Sequence, residues 1–147
     1  MRIDEQIEER VRAAFSAAIA RDGDAMVGAL YGLTEQQAQQ ALGLALYACG
    51  FVVNDIFREG ATDEEVRALA QQITETEASW VRLDVDTVAG TLRAAARGDA
   101  SLDGVDHADL VGNAFVSGGH LLAAFRTDDQ EWWQYLNEIW EHLEASR

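Results

Sequence analysis

Residues 41–53 read Ala-Leu-Gly-Leu-Ala-Leu-Tyr-Ala-Cys-Gly-Phe-Val-Val, a stretch whose only polar side-chain group beyond the Cys49 thiol is a tyrosine hydroxyl. A helix that is apolar on every face has to be covered on every face. At 13 residues the run is shorter than the roughly 20 needed to span a bilayer. It therefore predicts the central helix of a soluble helical domain, around which the rest of the chain packs.

The flanking segments carry the 3.6-residue period. Ile3, Ile7, Val11, Ala14, Phe15, Ala18 and Ile19 form one stripe behind Asp4, a natural N-cap, and predict a helix ending near Arg21. A short helical turn fits Asp24 to Tyr31. Thr34-Glu-Gln-Gln37 and Thr62-Asp-Glu-Glu65 have the form of capping boxes. The first opens the central helix, about 34–58, with Gly60 as its stop. The second opens a helix with Val66, Leu69, Ala70, Ile73 and Trp80 on one stripe. A break at 82–85 precedes a fifth helix over about 86–97, closed by Gly98. Asp106 is placed to cap a sixth helix carrying Leu110 to Phe125, and Thr127-Asp-Asp-Gln130, a third capping box, to open a seventh with Trp132, Trp133, Leu136, Ile139, Trp140 and Leu143. Six arginines (21, 58, 82, 97, 126 and 147) fall at or near predicted helix C-termini, and acids crowd the first turns, the polarity that the helix macrodipole favours. No segment combines strand alternation with turn signals. The expected fold is all-α, a bundle of six or seven helices in one domain over 1–147.

A repeat search adds a further feature. Ala20-Arg-Asp-Gly-Asp-Ala25 recurs as Ala96-Arg-Gly-Asp-Ala100, and Phe57-Arg58 as Phe125-Arg126. Tyr47 stands three residues before Gly50, as Phe115 stands three before Gly118. Two readings account for this: two three-helix units over 7–80 and 86–143 that pair through their middle helices, or capped amphipathic helices that look alike in a biased chain. Under the first reading Gly43, Gly50, Gly118 and Gly119 mark close helix contacts, because a glycine costs a helix interior about 1 kcal/mol.

Charge and residue usage exclude several functions. The net charge is −15, and all 11 basic residues are arginine. A GC-rich genome or a high-salt habitat each explains a lysine-free acidic chain. Such a surface repels a phosphate backbone, so no nucleic acid is expected as a partner; mimicry of nucleic acid by the carboxylates is the one exception that charge permits. The lone Cys49 reads as a buried small hydrophobe, and Met1 to Gln6 hold no apolar segment of a secretory signal, so a cytoplasmic location is expected. The polar face of the last helix is acidic, which disfavours a membrane surface.

Enzyme signatures are largely missing. His107, His120 and His142 stand apart, Glu-x-x-His is absent, and the absence of lysine removes Schiff-base chemistry. No metal site and no cofactor are expected. Asp99 to Gly104 begins like a calcium loop, but the bidentate glutamate at its twelfth position is replaced by Leu110. Catalytic residues are not assigned. Two sets of side chains stand out. Asn54 and Asp55 follow the central apolar run, and Asn113 and His120 lie on the sixth helix; if the middle helices pair, these four could line an internal pocket, with Asp55 and His120 as acid and base. Trp132, Trp133, Tyr135 and Trp140 give the last helix a wide aromatic face, rich in residue types that dominate interfaces. The leading expectation is a non-enzymatic acidic helical interaction module, self-associating as a homodimer or meeting a protein partner through that helix. A small-molecule-binding bundle or enzyme with a pocket between the central helices is the alternative.

Overall fold

Capping side chains set most of the helix starts. The computed structural model describes residues 3–98 and 107–146, with His107 by its backbone alone. Asp4 accepts from the backbone N–H groups of Gln6 and Ile7 and begins α1, Glu5–Ile19. Asp22 caps α2, Gly23–Leu30, through Ala25 N. Of the three expected capping boxes, those at Thr34 and Thr62 close reciprocally. Gln37 N donates to Thr34 Oγ1 at 3.2 Å and Thr34 N to Gln37 Oε1 at 3.0 Å at the start of α3, Glu35–Ile56. Thr62 and Glu65 do the same before α4, Asp63–Glu77. Asp84 begins α5, Val85–Arg97, and Gly98 ends it at φ +73°, a left-handed conformation that glycine adopts without steric cost. The last two helices are α6, His107–Phe125, and α7, Trp132–Ala145.

The described residues thus form seven helices and no strand, the expected all-α architecture. α3 is the hub: it packs against α5, α6, α1 and α7. One apolar cluster draws buried side chains from every helix except α2, which supplies only the half-buried Met26, Ala29 and Leu30. Phe15 of α1 and Phe115 of α6, both fully buried, meet at 5.2 Å between ring centroids.

Several expectations need correction. The apolar run on α3 is not covered all round: Gly43 is exposed and Tyr47 and Phe51 are half-buried, a stripe at spacing 4 that leaves one side open. Gly50, Gly118 and Gly119 are close-contact positions, whereas a methyl group at Gly43 would meet nothing within 4 Å. Trp80 lies beyond α4, in the turn that follows it. Thr127 does not open α7. Gln130 N bonds back to Thr127 O, Arg126 donates to Gln130 O, and the helix begins only after Glu131, whose N–H is taken by Gln134 Oε1 at 2.8 Å. Of the arginines expected at or near helix C-termini, Arg97 sits in the last turn of α5 and Arg21, Arg58 and Arg126 come just after α1, α3 and α6, whereas Arg82 stands well beyond the end of α4. The Asp99–Gly104 loop and the Asp106 cap lie outside the described residues.

Candidate functional site

The four polar residues expected to line an internal pocket do not meet. Cys49 is the α3 residue turned to α6, with its Sγ donating to Ala114 O at 3.4 Å. At 100° per residue, Asn54 and Asp55 are rotated from it by about 140° and 240°. Asn54 is exposed and donates to Ala96 O at the end of α5. Asp55 is exposed and accepts from the Tyr135 hydroxyl at 3.1 Å. Both border an open surface groove that also holds Phe51, Arg97 and His142.

Asn113 and His120 lie on another side of the bundle, within α6. Asn113 is buried and its Nδ2 donates to Asp109 O. His120 Nδ1 lies 3.0 Å from Glu77 Oε2, and both side chains are more than nine-tenths buried. Glu77 also accepts from Trp80 Nε1 at 2.8 Å and lies 3.7 Å from Arg21 Nε. Arg21 holds φ +59°, unusual for a side chain of its size. One carboxylate thus ties together the end of α4, the α1–α2 turn and α6. With Glu77 ionised, Nδ1 carries the proton and Nε2 is left without a partner among the described residues. A general base has to reach a substrate proton directly or through one water. His120 Nε2 is sealed from solvent, so the pair acts as a structural tie. Glu77 was not singled out from the sequence, yet a signal exists: it continues the core stripe Val66, Ala70, Ile73 as a lone acid.

The aromatic face of α7 divides in two. Tyr135 and Trp140 belong to the core, against expectation, because their polar tips find partners at its edge: Tyr135 with Asp55, and Trp140 Nε1 with Glu8 Oε1 at 3.0 Å. Burial, with the Asp55 charge beside it, holds the Tyr135 phenol well above its usual range. Trp132 is half-buried, and Trp133 is 43% exposed.

The larger unpartnered apolar surface lies on α2. Arg10 of α1 reaches across to donate to Ala29 O at 3.1 Å and Tyr31 O at 2.9 Å, which satisfies the C-terminal carbonyls of that short helix and fixes it over α1. None of its eight residues is buried. Val27 is 64% and Tyr31 79% exposed, the highest values for any large hydrophobic residue described. They form one wall of a groove of about 370 Å³. Ala38 and Ala41 of α3 form a second wall, Val111 and Gly112 of α6 a third, and Phe115 lies at the floor. No charged side chain lines it; the Tyr31 hydroxyl is its one polar side-chain group. Small residues on α3 and α6 leave it wide, and bulky residues on α2 give it a raised edge.

Among the described residues no group of three or more His, Cys, Asp or Glu is placed to hold a metal ion, and no helix is long and apolar enough to cross a membrane. Burial pushes the Cys49 thiol up to about 12, which removes it as a nucleophile. The chain matches no protein-family model, no curated protein and no solved structure.

Proposed function

We propose that the protein is a non-enzymatic, acidic helical interaction module of the cytoplasm, and that its docking surface is the groove between α2, α3 and α6. The observation that carries this reading is the exposure of Val27 and Tyr31 on the rim of a groove with no charged lining. Contiguous exposed apolar surface of this kind marks interaction sites, and a groove between helices suits the apolar face of an incoming helix. Nuclear magnetic resonance titration with a synthetic amphipathic peptide, leucine on one face and glutamine and serine on the other, tests it. Shifts confined to α2, the first half of α3 and the first half of α6, and lost in Val27→Ser/Tyr31→Ser, are expected. Absence of shifts, or shifts elsewhere, rejects the reading.

Trp133 supports a second reading, a homodimer through α7, since it leaves an exposed indole beside the half-buried Trp132. Light scattering over a wide concentration range decides it: a dimer that Trp133→Ser dissociates is the expected result, and a monomer throughout refutes it.

A further inference from the structure

The rim of the α2–α3–α6 groove is acidic although its lining is apolar. Asp24 stands one turn before Val27 on α2, Glu35 one turn before Ala38 on α3, and Asp109 one turn before Gly112 on α6. Residues three apart are neighbours on a helix surface, so each wall carries a carboxylate at the edge of its groove-lining face, outside the lining itself. All three residues are exposed, and none is ion-paired among the described residues. Arg10, the base that packs against α2, has its guanidinium committed to the Ala29 and Tyr31 carbonyls. Resting on the groove reading above, we infer that the occupant is a basic amphipathic helix of a partner protein, with its apolar face in the groove and arginine or lysine against Asp24, Glu35 and Asp109. A second copy of this chain is disfavoured as the occupant, since it would bring a net charge of −15 to a rim of the same sign.

Calorimetric titration of the whole chain with three synthetic helical peptides tests the inference. The peptides share one leucine face and carry lysine and arginine, glutamine and serine, or glutamate on the other. The basic peptide is expected to bind about tenfold more tightly than the neutral one at low salt, and the acidic one more weakly than either. General attraction to an acidic protein is separated by two variants of equal charge. Asp24→Asn/Glu35→Gln/Asp109→Asn is expected to abolish most of the basic peptide's advantage, whereas Glu138→Gln/Glu141→Gln/Glu144→Gln on α7 leaves most of it. Equal effects of the two variants, or equal binding of basic and neutral peptides, overturn the charge inference while leaving the groove in place. Basic-peptide binding that survives Val27→Ser/Tyr31→Ser overturns the groove itself. All five substituted groove and rim side chains are exposed, and circular dichroism checks that each variant stays folded.

Discussion

Gly50 lies where α3 crosses α5, and a Cβ there would fall well inside van der Waals contact distance of the Ala95 carbonyl oxygen. That neighbour is backbone at the end of a helix, so it cannot turn away as a side chain can. Alanine gains about 1 kcal/mol of helix propensity over glycine, too little against overpacking of this kind. Gly50→Ala is expected to lose about 3 kcal/mol in urea denaturation. Gly43→Ala, on the open stripe of the same helix with nothing within 4 Å, is expected to gain about 0.5 to 1 kcal/mol. Two glycines seven residues apart on one helix thus carry opposite expectations. Tyr135 gives a pH dependence. Its phenol, raised by burial and by Asp55, keeps in the folded state a proton that the unfolded chain releases near pH 10. Its contribution is therefore full below about pH 10 and declines as the pH rises above it. Tyr135→Phe is expected to lose about 1 kcal/mol at neutral pH with the Asp55 hydrogen bond. It should also flatten the alkaline limb of stability measured by denaturation at successive pH values; an unchanged limb would contradict the role given to this phenol. Tyr47, also raised by burial, supplies part of what remains.

At the scale of elements, α4 shows how far local sequence reaches. Its start was legible because Thr62 and Glu65 satisfy each other's backbone within one turn, and the same holds for Thr34 and Gln37. Its end was not, because the partners of Glu77 come from residues 21, 80 and 120, and the first and last of these share no local pattern with it. The groove was illegible for a related reason. α2 is apolar on most sides, and period alone does not say which side α1 covers; Arg10, 19 residues before Ala29, decides it. On α7, composition announced aromatic surface, but whether a tryptophan is core or interface depended on partners such as Glu8, 132 residues away. Glu77 gives the sharpest test of the tie between elements. Glu77→Leu leaves the Trp80 indole N–H and the His120 ring without their partner, and a loss of about 3 kcal/mol is expected. Glu77→Gln, which still accepts from Trp80, should lose less. A loss in the leucine variant no larger than in the glutamine variant would show that the carboxylate is not the tie.

For the molecule as a whole, 26 acidic residues stand against 11 arginines. The ion pairs outside the Glu77 tie include Arg67 with Asp86 and Arg93 with Asp63, whose carboxylates are largely exposed, and such pairs are worth about 0 to 1 kcal/mol each. Self-repulsion should therefore outweigh pairing at low ionic strength. α3 and α6 bear on the same balance through packing. α3 meets α5 at Gly50 and α6 meets α1 at Gly118, so close helix contacts oppose that repulsion. Raising sodium chloride from about 0.01 M to 1 M shortens the screening length from about 30 Å to about 3 Å. Stability is expected to rise by on the order of 1 kcal/mol as repulsion is screened, or about 2–4 °C in Tm for a chain of this size, as calorimetry would show. A fall in Tm over that range would mean that the exposed ion pairs dominate. Between the two origins of a lysine-free acidic surface, a continued rise well above 1 M, where screening is already complete, would favour adaptation to high salt, and a plateau would favour coding bias. If the groove takes a basic helix, its affinity should fall over the same range in which stability climbs, because salt screens both the attraction of the rim carboxylates and the self-repulsion of the whole acidic surface.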